Sequence, residues 1–361
     1  MLALLLALAA LGDGRPLDNL ELEGGTKLSG RVVYEDSDEI VLRIGTNERS
    51  LPRKKVAKLE SRFARLRELH TSWRELAEND LAGTFALARK AREAGFEEEA
   101  QLLAWDVLSF TPKDAPAHEF LGHEKHGEGW IVADGPRRWP YEKLLELRKE
   151  WKSAWEFSSE HYRVRTNVPL HDAVMAVFDL ECAYECFYAL VGHPLHFREQ
   201  VEPLAAQVHA DRKSFPESAG DARSYFDRTV HVLFVNASGG FERGAVVHEA
   251  THQLLDACIQ STRSMRGDVP GWLNEGLAEY IRAATSGPVR SVRVRPGCTT
   301  VTLMPSGPNS SAMFLVSAAT ATLRMLPTVL PVWRAASPLM LTMRPQPWAC
   351  MPATTSREQR M

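Results

Sequence analysis

The chain has 361 residues, 44% hydrophobic and 25% charged, which suits two or three compact units and excludes a disordered or collagen-like polymer. Its formal net charge of −3 hides a split: residues 1–280 hold 34 Lys and Arg against 45 Asp and Glu, whereas residues 281–361 hold nine Arg against the single acid Glu358. The basic run Arg53-Lys54-Lys55 is too short and isolated to indicate a nucleic-acid partner.

Met1 to Leu11 is a leucine and alanine run followed by Gly-Asp-Gly, with Ala7-Leu8-Ala9 as a cleavage site, so a signal peptide is expected over 1–12 and the protein is expected to be exported, periplasmic or extracellular. The run has no basic residues before it, and the competing explanations are a mis-assigned start or a buried N-terminal helix. No transmembrane span is expected, because the other apolar stretch, Met313 to Trp333, is interrupted by Arg324, Pro327 and Pro331.

Residues 17–61 alternate in short pieces separated by Gly24-Gly25, Gly30 and Gly45-Thr46-Asn47, which predicts four or five antiparallel strands in a small SH3- or Sm-like β-barrel. From Arg62 the spacing becomes helical, and residues 62–140 read as a helical spacer. The stretch EEEAQLLAWDVLSFTPKDAPAHEFLG resembles a fragment of a tetratricopeptide repeat. Gly127 to Pro140 reads as a boundary. Over 152–284 strands come first (161–168, 202–210, 224–238) and helices dominate afterwards, which predicts an α+β layer with an antiparallel or mixed sheet.

The chemistry lies in VVHEATHQLLDACI. His248 and His252 are four residues apart on a helix, so both imidazoles project from one face and can share a metal at about 2.0–2.1 Å. Glu249 lies beside them as a general base, able to take a proton from a metal-bound water and pass it to a leaving amine. A chance H-E-x-x-H occurs in roughly three chains in a hundred of this composition, so the weight comes from a second motif downstream. PGWLNEGLAEY (270–280) predicts a second helix with Glu275 as the third ligand of a single zinc ion, His₂Glu with an open fourth position. Glu279, one turn on, can accept the free N–H of a ligating His, and Asn274 stands with it outside the ligand set.

HEATHQL followed by PGWLNEGLAEY resembles the gluzincin metallopeptidases of the thermolysin-like superfamily, and more closely a set of exported bacterial proteins with HE-x-T-H and W-L-x-E-G-x-A-E-Y. The resemblance covers about Lys152 to Arg282. It implies a zinc metallopeptidase with His248, His252 and Glu275 as ligands and Glu249 as general base. It also implies an edge strand above the active-site helix that binds an extended peptide, for which SYFDRTVHVLFVN is the candidate. The family's usual His or Tyr beyond the third ligand is missing, since no His or Tyr follows Tyr280; Tyr280, Tyr225 or His231 could stabilise the oxyanion instead.

Other motifs read as bland. His118, His123 and His126 are broken up by glycines and read as loop histidines. Cys182 and Cys186, one turn apart, read as small buried hydrophobes. Residues 285–361 carry Pro, Met and Arg without sustained periodicity, as expected of a frameshift near codons 284–290 that replaced the true C-terminal subdomain; an intact frame on resequencing would sink that reading, in favour of a disordered basic tail. The expected protein is therefore a zinc-dependent peptidase acting on a peptide or protein. The alternative is a catalytically inactive peptidase-like envelope protein that binds a partner through its barrel or spacer.

Overall fold

The chain folds from its N-terminal side as a meander. Strands β1 (Asp18–Leu22), β2 (Lys27–Glu35), β3 (Glu39–Ile44), β4 (Asn47–Pro52) and β5 (Val56–Glu60) form one antiparallel sheet in the order β4-β3-β2-β1-β5. Alternation sends Leu20, Ile40, Leu42, Leu51 and Val56 into a small core of their own. Gly45, at φ +60°, opens the two-residue hairpin between Ile44 and Asn47, a conformation that L side chains avoid. The five strands form as the alternation predicts, but the expected barrel is not closed: β4 and β5 are opposite edges of the sheet. Pro52 ends β4 without an N–H to donate, and the short 3₁₀ turn Arg53–Lys55 delivers β5 to β1 instead.

The structure is a computed structural model that describes residues 16–77, 79–217, 220–261 and 269–286. The expected leader, the tail from 287 onward, and Cys298 and Cys350 within it lie outside the described residues. Among the described residues the fold is mixed α+β, with three sheets and eight α-helices, and no helix is long and apolar enough to cross a membrane.

Helices α1 (Arg62–Glu75), α2 (Leu81–Glu93), α3 (Glu97–Phe110) and α4 (Ala115–Phe120) come next in the chain. Ser61, Asp80 and Asp114 cap α1, α2 and α4 by accepting the N–H groups of Ala64, Gly83 and Ala117. Residues 124–140, glycine-rich in sequence, form a three-stranded meander of β6 (Glu124–His126), β7 (Gly129–Asp134) and β8 (Arg137–Pro140), with Gly127 and Gly135 in its turns. Helix α5 (Tyr141–Leu147) leads on from it.

The last sheet is mixed, in the order β12-β13-β11-β10-β9, from β9 (Trp155–Ser158), β10 (Tyr162–Thr166), β11 (Leu204–His209), β12 (Ser224–Asp227) and β13 (Val232–Asn236). Its centre is parallel and its two outer pairs are antiparallel. A parallel pair needs a crossover, and the long helix α6 (Leu170–Phe187) supplies the one from β10 to β11. Helices α7 (Arg243–Ser261) and α8 (Gly271–Ser286) complete the fold.

One hydrophobic cluster runs from Phe63 on α1 to Ile281 on α8, so the helical segment and the last sheet share a core. The first sheet is docked onto this body by buried charges. Arg62 pairs with Glu160 at 2.8 Å and Glu199 at 3.0 Å, Arg31 pairs with Glu160 at 2.9 Å, and the Glu199 N–H donates to the Val33 carbonyl at 2.9 Å.

Candidate metal centre

Helix α7 starts just past Gly239-Gly240, where Gly240 adopts φ +97°. Its first residue, Arg243, is tied to α6 through Asp179 at 2.7 Å and the Cys182 thiol at 3.5 Å. Cys182 is thus buried beside a guanidinium as well as among hydrophobes. Val246, Val247, Ala250, Leu254, Leu255 and Cys258 face the core, which leaves His248 and His252 on the side that meets α8. There, Leu273, Leu277, Ala278 and Ile281 point inward, and Asn274, Glu275 and Glu279 are free to face α7.

The structure brings His248, His252 and Glu275 together as a triad able to hold a metal ion, with one donor atom from each lying within 4.8 Å of the others. The two Nε2 atoms are 3.1 Å apart, His248 Nε2 lies 3.3 Å from Glu275 Oε2, and His252 Nε2 lies 3.6 Å from Glu275 Oε1. Ligands at 2.0–2.1 Å in a tetrahedron sit about 3.3 Å from one another. The Nε2–Nε2 separation is close to that value, and each Nε2 has a different Glu275 oxygen within 3.6 Å, so the three side chains can converge on one small cation.

The ring nitrogens facing away are also placed. His252 Nδ1 donates to Asn274 Oδ1 at 2.9 Å, and His248 Nδ1 meets Glu279 Oε1 at 3.1 Å. Donation from Nδ1 leaves each neutral imidazole a lone pair on Nε2. Two such lone pairs face each other at 3.1 Å, which is repulsive until a cation or a proton lies between them. Asn274 and Glu279 are thus the α8 residues that contact the outward nitrogens of the two rings.

Glu249, next to His248 in the chain, turns toward the sheet, where its Oε2 accepts the Phe226 N–H of β12 at 3.1 Å. Burial pushes its carboxyl above the ordinary range, while the His252 ring and the Phe226 N–H pull it down. Glu275 is largely exposed and the two histidines are not, with side-chain exposures of 63% against 18% and 13%, so the centre opens to solvent on the α8 side.

Of the three candidates for oxyanion stabilisation, Tyr225 and His231 have other partners. Tyr225, on β12, stacks on Phe234 at 5.1 Å. His231, at φ +55° in the β12–β13 turn, directs Nδ1 toward Asp256 at 3.4 Å. Tyr280 is half-buried on α8, and burial raises its phenol pKa. Among the described residues no hydrogen bond joins any of them to the triad.

His118 sits on α4 rather than in a loop, His123 lies in the connection between α4 and β6, and both are buried. His118 donates from Nε2 to the Pro112 carbonyl at 3.0 Å, shares a 2.7 Å Nδ1 contact with His123, and stacks on Trp130. His126 is exposed on β6. Sequence reasoning missed Gln253 and Asp256, two buried polar residues on α7. Their signal was present in the spacing, since they continue the Glu249 stripe at i+4 and i+7.

One protein family, described as a protein of unknown function (DUF1570), matches residues 243–297, which include α7, α8 and the whole triad. No curated protein and no solved structure matches the chain.

Proposed function

We propose that the protein is a zinc-dependent metallopeptidase of gluzincin type, exported and acting on an extended peptide. The observation that carries this reading is the convergence of the His248, His252 and Glu275 donors within 4.8 Å of one another, next to a carboxylate, Glu249, that faces a sheet edge. Zinc bound there would supply Lewis acidity for a scissile carbonyl and lower the pKa of water.

The chain's own residues do the rest. Glu249 takes a proton from the attacking water and delivers it to the leaving nitrogen. Asn274 and Glu279 hold the imidazoles in the tautomer that presents Nε2. Among the described residues strand β12 pairs on one side only. Phe226 turns its N–H away from β13 toward Glu249, so a substrate strand added to this edge would run past the general base.

The second reading, a non-catalytic envelope protein with a peptidase-like scaffold, draws on the lack, among the described residues, of a hydrogen bond between the triad and Tyr225, His231 or Tyr280. Metal analysis with Glu249→Gln separates the two. One zinc per chain in both proteins, with peptide cleavage falling by about 10²–10⁴-fold in the variant, supports the enzyme. Zinc without cleavage by the wild type favours the scaffold, and absence of zinc binding overturns both the enzyme and the metal site.

A further inference from the structure

Helix α7 carries a second polar stripe next to the metal-binding one. Glu249, Gln253, Asp256 and Gln260 stand at i, i+4, i+7 and i+11, which keeps them on one face of the helix. Three of them grip the β12–β13 hairpin. Glu249 holds the Phe226 N–H at 3.1 Å. Gln253 Nε2 donates to the His231 carbonyl at 3.2 Å and to the Ala205 carbonyl of β11 at 2.9 Å. Asp256 accepts Arg228 Nε at 2.9 Å and faces His231 Nδ1 at 3.4 Å, while Gln260 Nε2 donates to its second oxygen at 2.6 Å.

The Asp256 side chain is only 6% exposed, yet it reaches both ends of the turn that joins β12 to β13. That turn is strained, because His231 occupies the left-handed region at φ +55°, where a side chain with a Cβ is disfavoured. Such a conformation persists only when its surroundings hold it. Asp256 and Gln253 are those surroundings, and both belong to the helix that carries His248 and His252.

We propose that Asp256 is a positioning residue: it clamps the β12–β13 hairpin to α7 and so fixes the open edge of β12 relative to Glu249 and the metal triad. The inference rests on the peptidase reading for its substrate, an extended peptide laid along β12. Asp256 itself touches neither the triad nor Glu249, so its effect is expected first on substrate alignment.

The test uses the zinc-loaded full chain, with Asp256→Ala, the near-isosteric Asp256→Asn, and Arg228→Gln, whose parent side chain is mostly exposed and whose loss leaves the core intact. Amide hydrogen exchange over 224–236 reads the hairpin, and KM and kcat on a cleaved peptide read alignment and chemistry. Loss of a charge-assisted bond at this site predicts exchange faster by about tenfold in Asp256→Ala, with KM raised about tenfold, kcat within about threefold and zinc stoichiometry unchanged. Asp256→Asn and Arg228→Gln move both readouts in the same direction by less. Unchanged exchange in all three variants overturns the clamp, and a fall in kcat at constant KM overturns the positioning role. Should Asp256→Ala lose its fold, the other two variants decide. Should the wild type cleave no peptide, the peptidase reading fails, and the exchange measurement still decides the clamp.

Discussion

His248 and His252 face each other through Nε2 at 3.1 Å while α8 binds the far nitrogen of each, Glu279 on His248 and Asn274 on His252. Two neighbouring helices therefore divide the work: α7 supplies two of the candidate ligands, and α8 supplies the third together with the groups that set the tautomers. Removing Asn274 frees the His252 ring to rotate and to move its proton to Nε2. Asn274→Ala is expected to weaken zinc binding by about 10–100-fold, measured by competition with a chromophoric chelator. An unchanged affinity would show that the hydrogen bond does not organise the centre.

A cation that relieves the facing lone pairs binds the folded state and not the unfolded one, so it raises stability by mass action. Zinc at 100 times its dissociation constant contributes about 2.7 kcal/mol, which for a chain of this size raises the melting temperature by about 3–5 °C. Chelation is expected to reverse that gain in the wild type. His248→Ala should show no response to zinc or chelator, and a response equal to that of the wild type would place the metal elsewhere.

The buried carboxylates on and around α6 predict a stability profile with two flanks. Burial, reinforced by the charge of Glu181, pushes Glu99 up to about 8. Its folded pKa lies above its unfolded one, so its contribution is present at low pH and is lost as pH rises from about 4.5 through 8. Glu181 and Glu199 behave in the opposite way. Burial pushes both up, but the His161 ring outweighs it at Glu181, and the His193 hydrogen bond and the Arg62 charge outweigh it at Glu199, holding each at about 2. Their contribution is present above the ordinary carboxylate range and is lost as pH falls through about 2. Urea titrations across pH should show both flanks, and Glu99→Gln should flatten the alkaline one alone. An alkaline flank unchanged in that variant would assign the loss to another group.

Arg62 is 1% exposed between Glu160 and Glu199 at the junction of the first sheet and the body of the protein. Arg62→Met leaves Glu160 with Arg31 and Glu199 with His193 as their remaining partners, and loss of the shared buried charge is expected to cost about 3 kcal/mol. Chemical denaturation measures it directly. A loss below about 1 kcal/mol would mean that water reaches the junction.

The sequence carried the local features well. Alternation around Leu20, Ile40, Leu42 and Leu51 located the strands of the first sheet, because a half-buried strand repeats every two residues. The same period could not say whether the sheet closes, since closure depends on where β4 and β5 end up and the turn at Arg53–Lys55 sends them apart. Glycines 127 and 135 looked like a break because Gly marks turns of every kind; they are turns inside a sheet whose pairing joins residues distant in the pattern. The burial of His118 and His123 was not legible, because it comes from packing against Trp130 and Tyr141.

For the candidate site, helix geometry alone determined that His248 and His252 share a face, since four residues make little more than one turn. It also determined that Glu275 and Glu279 share one. The distance between those two faces is a property of how α7 packs on α8, and only the tertiary structure decided that their donors meet at 3.1–3.6 Å. The Asp256 clamp had the same limitation. Its position on the helix was readable, but its partners Arg228 and His231 reach it only after the sheet has brought the β12–β13 turn against α7, and contacts across that much chain are set by the core rather than by any local period.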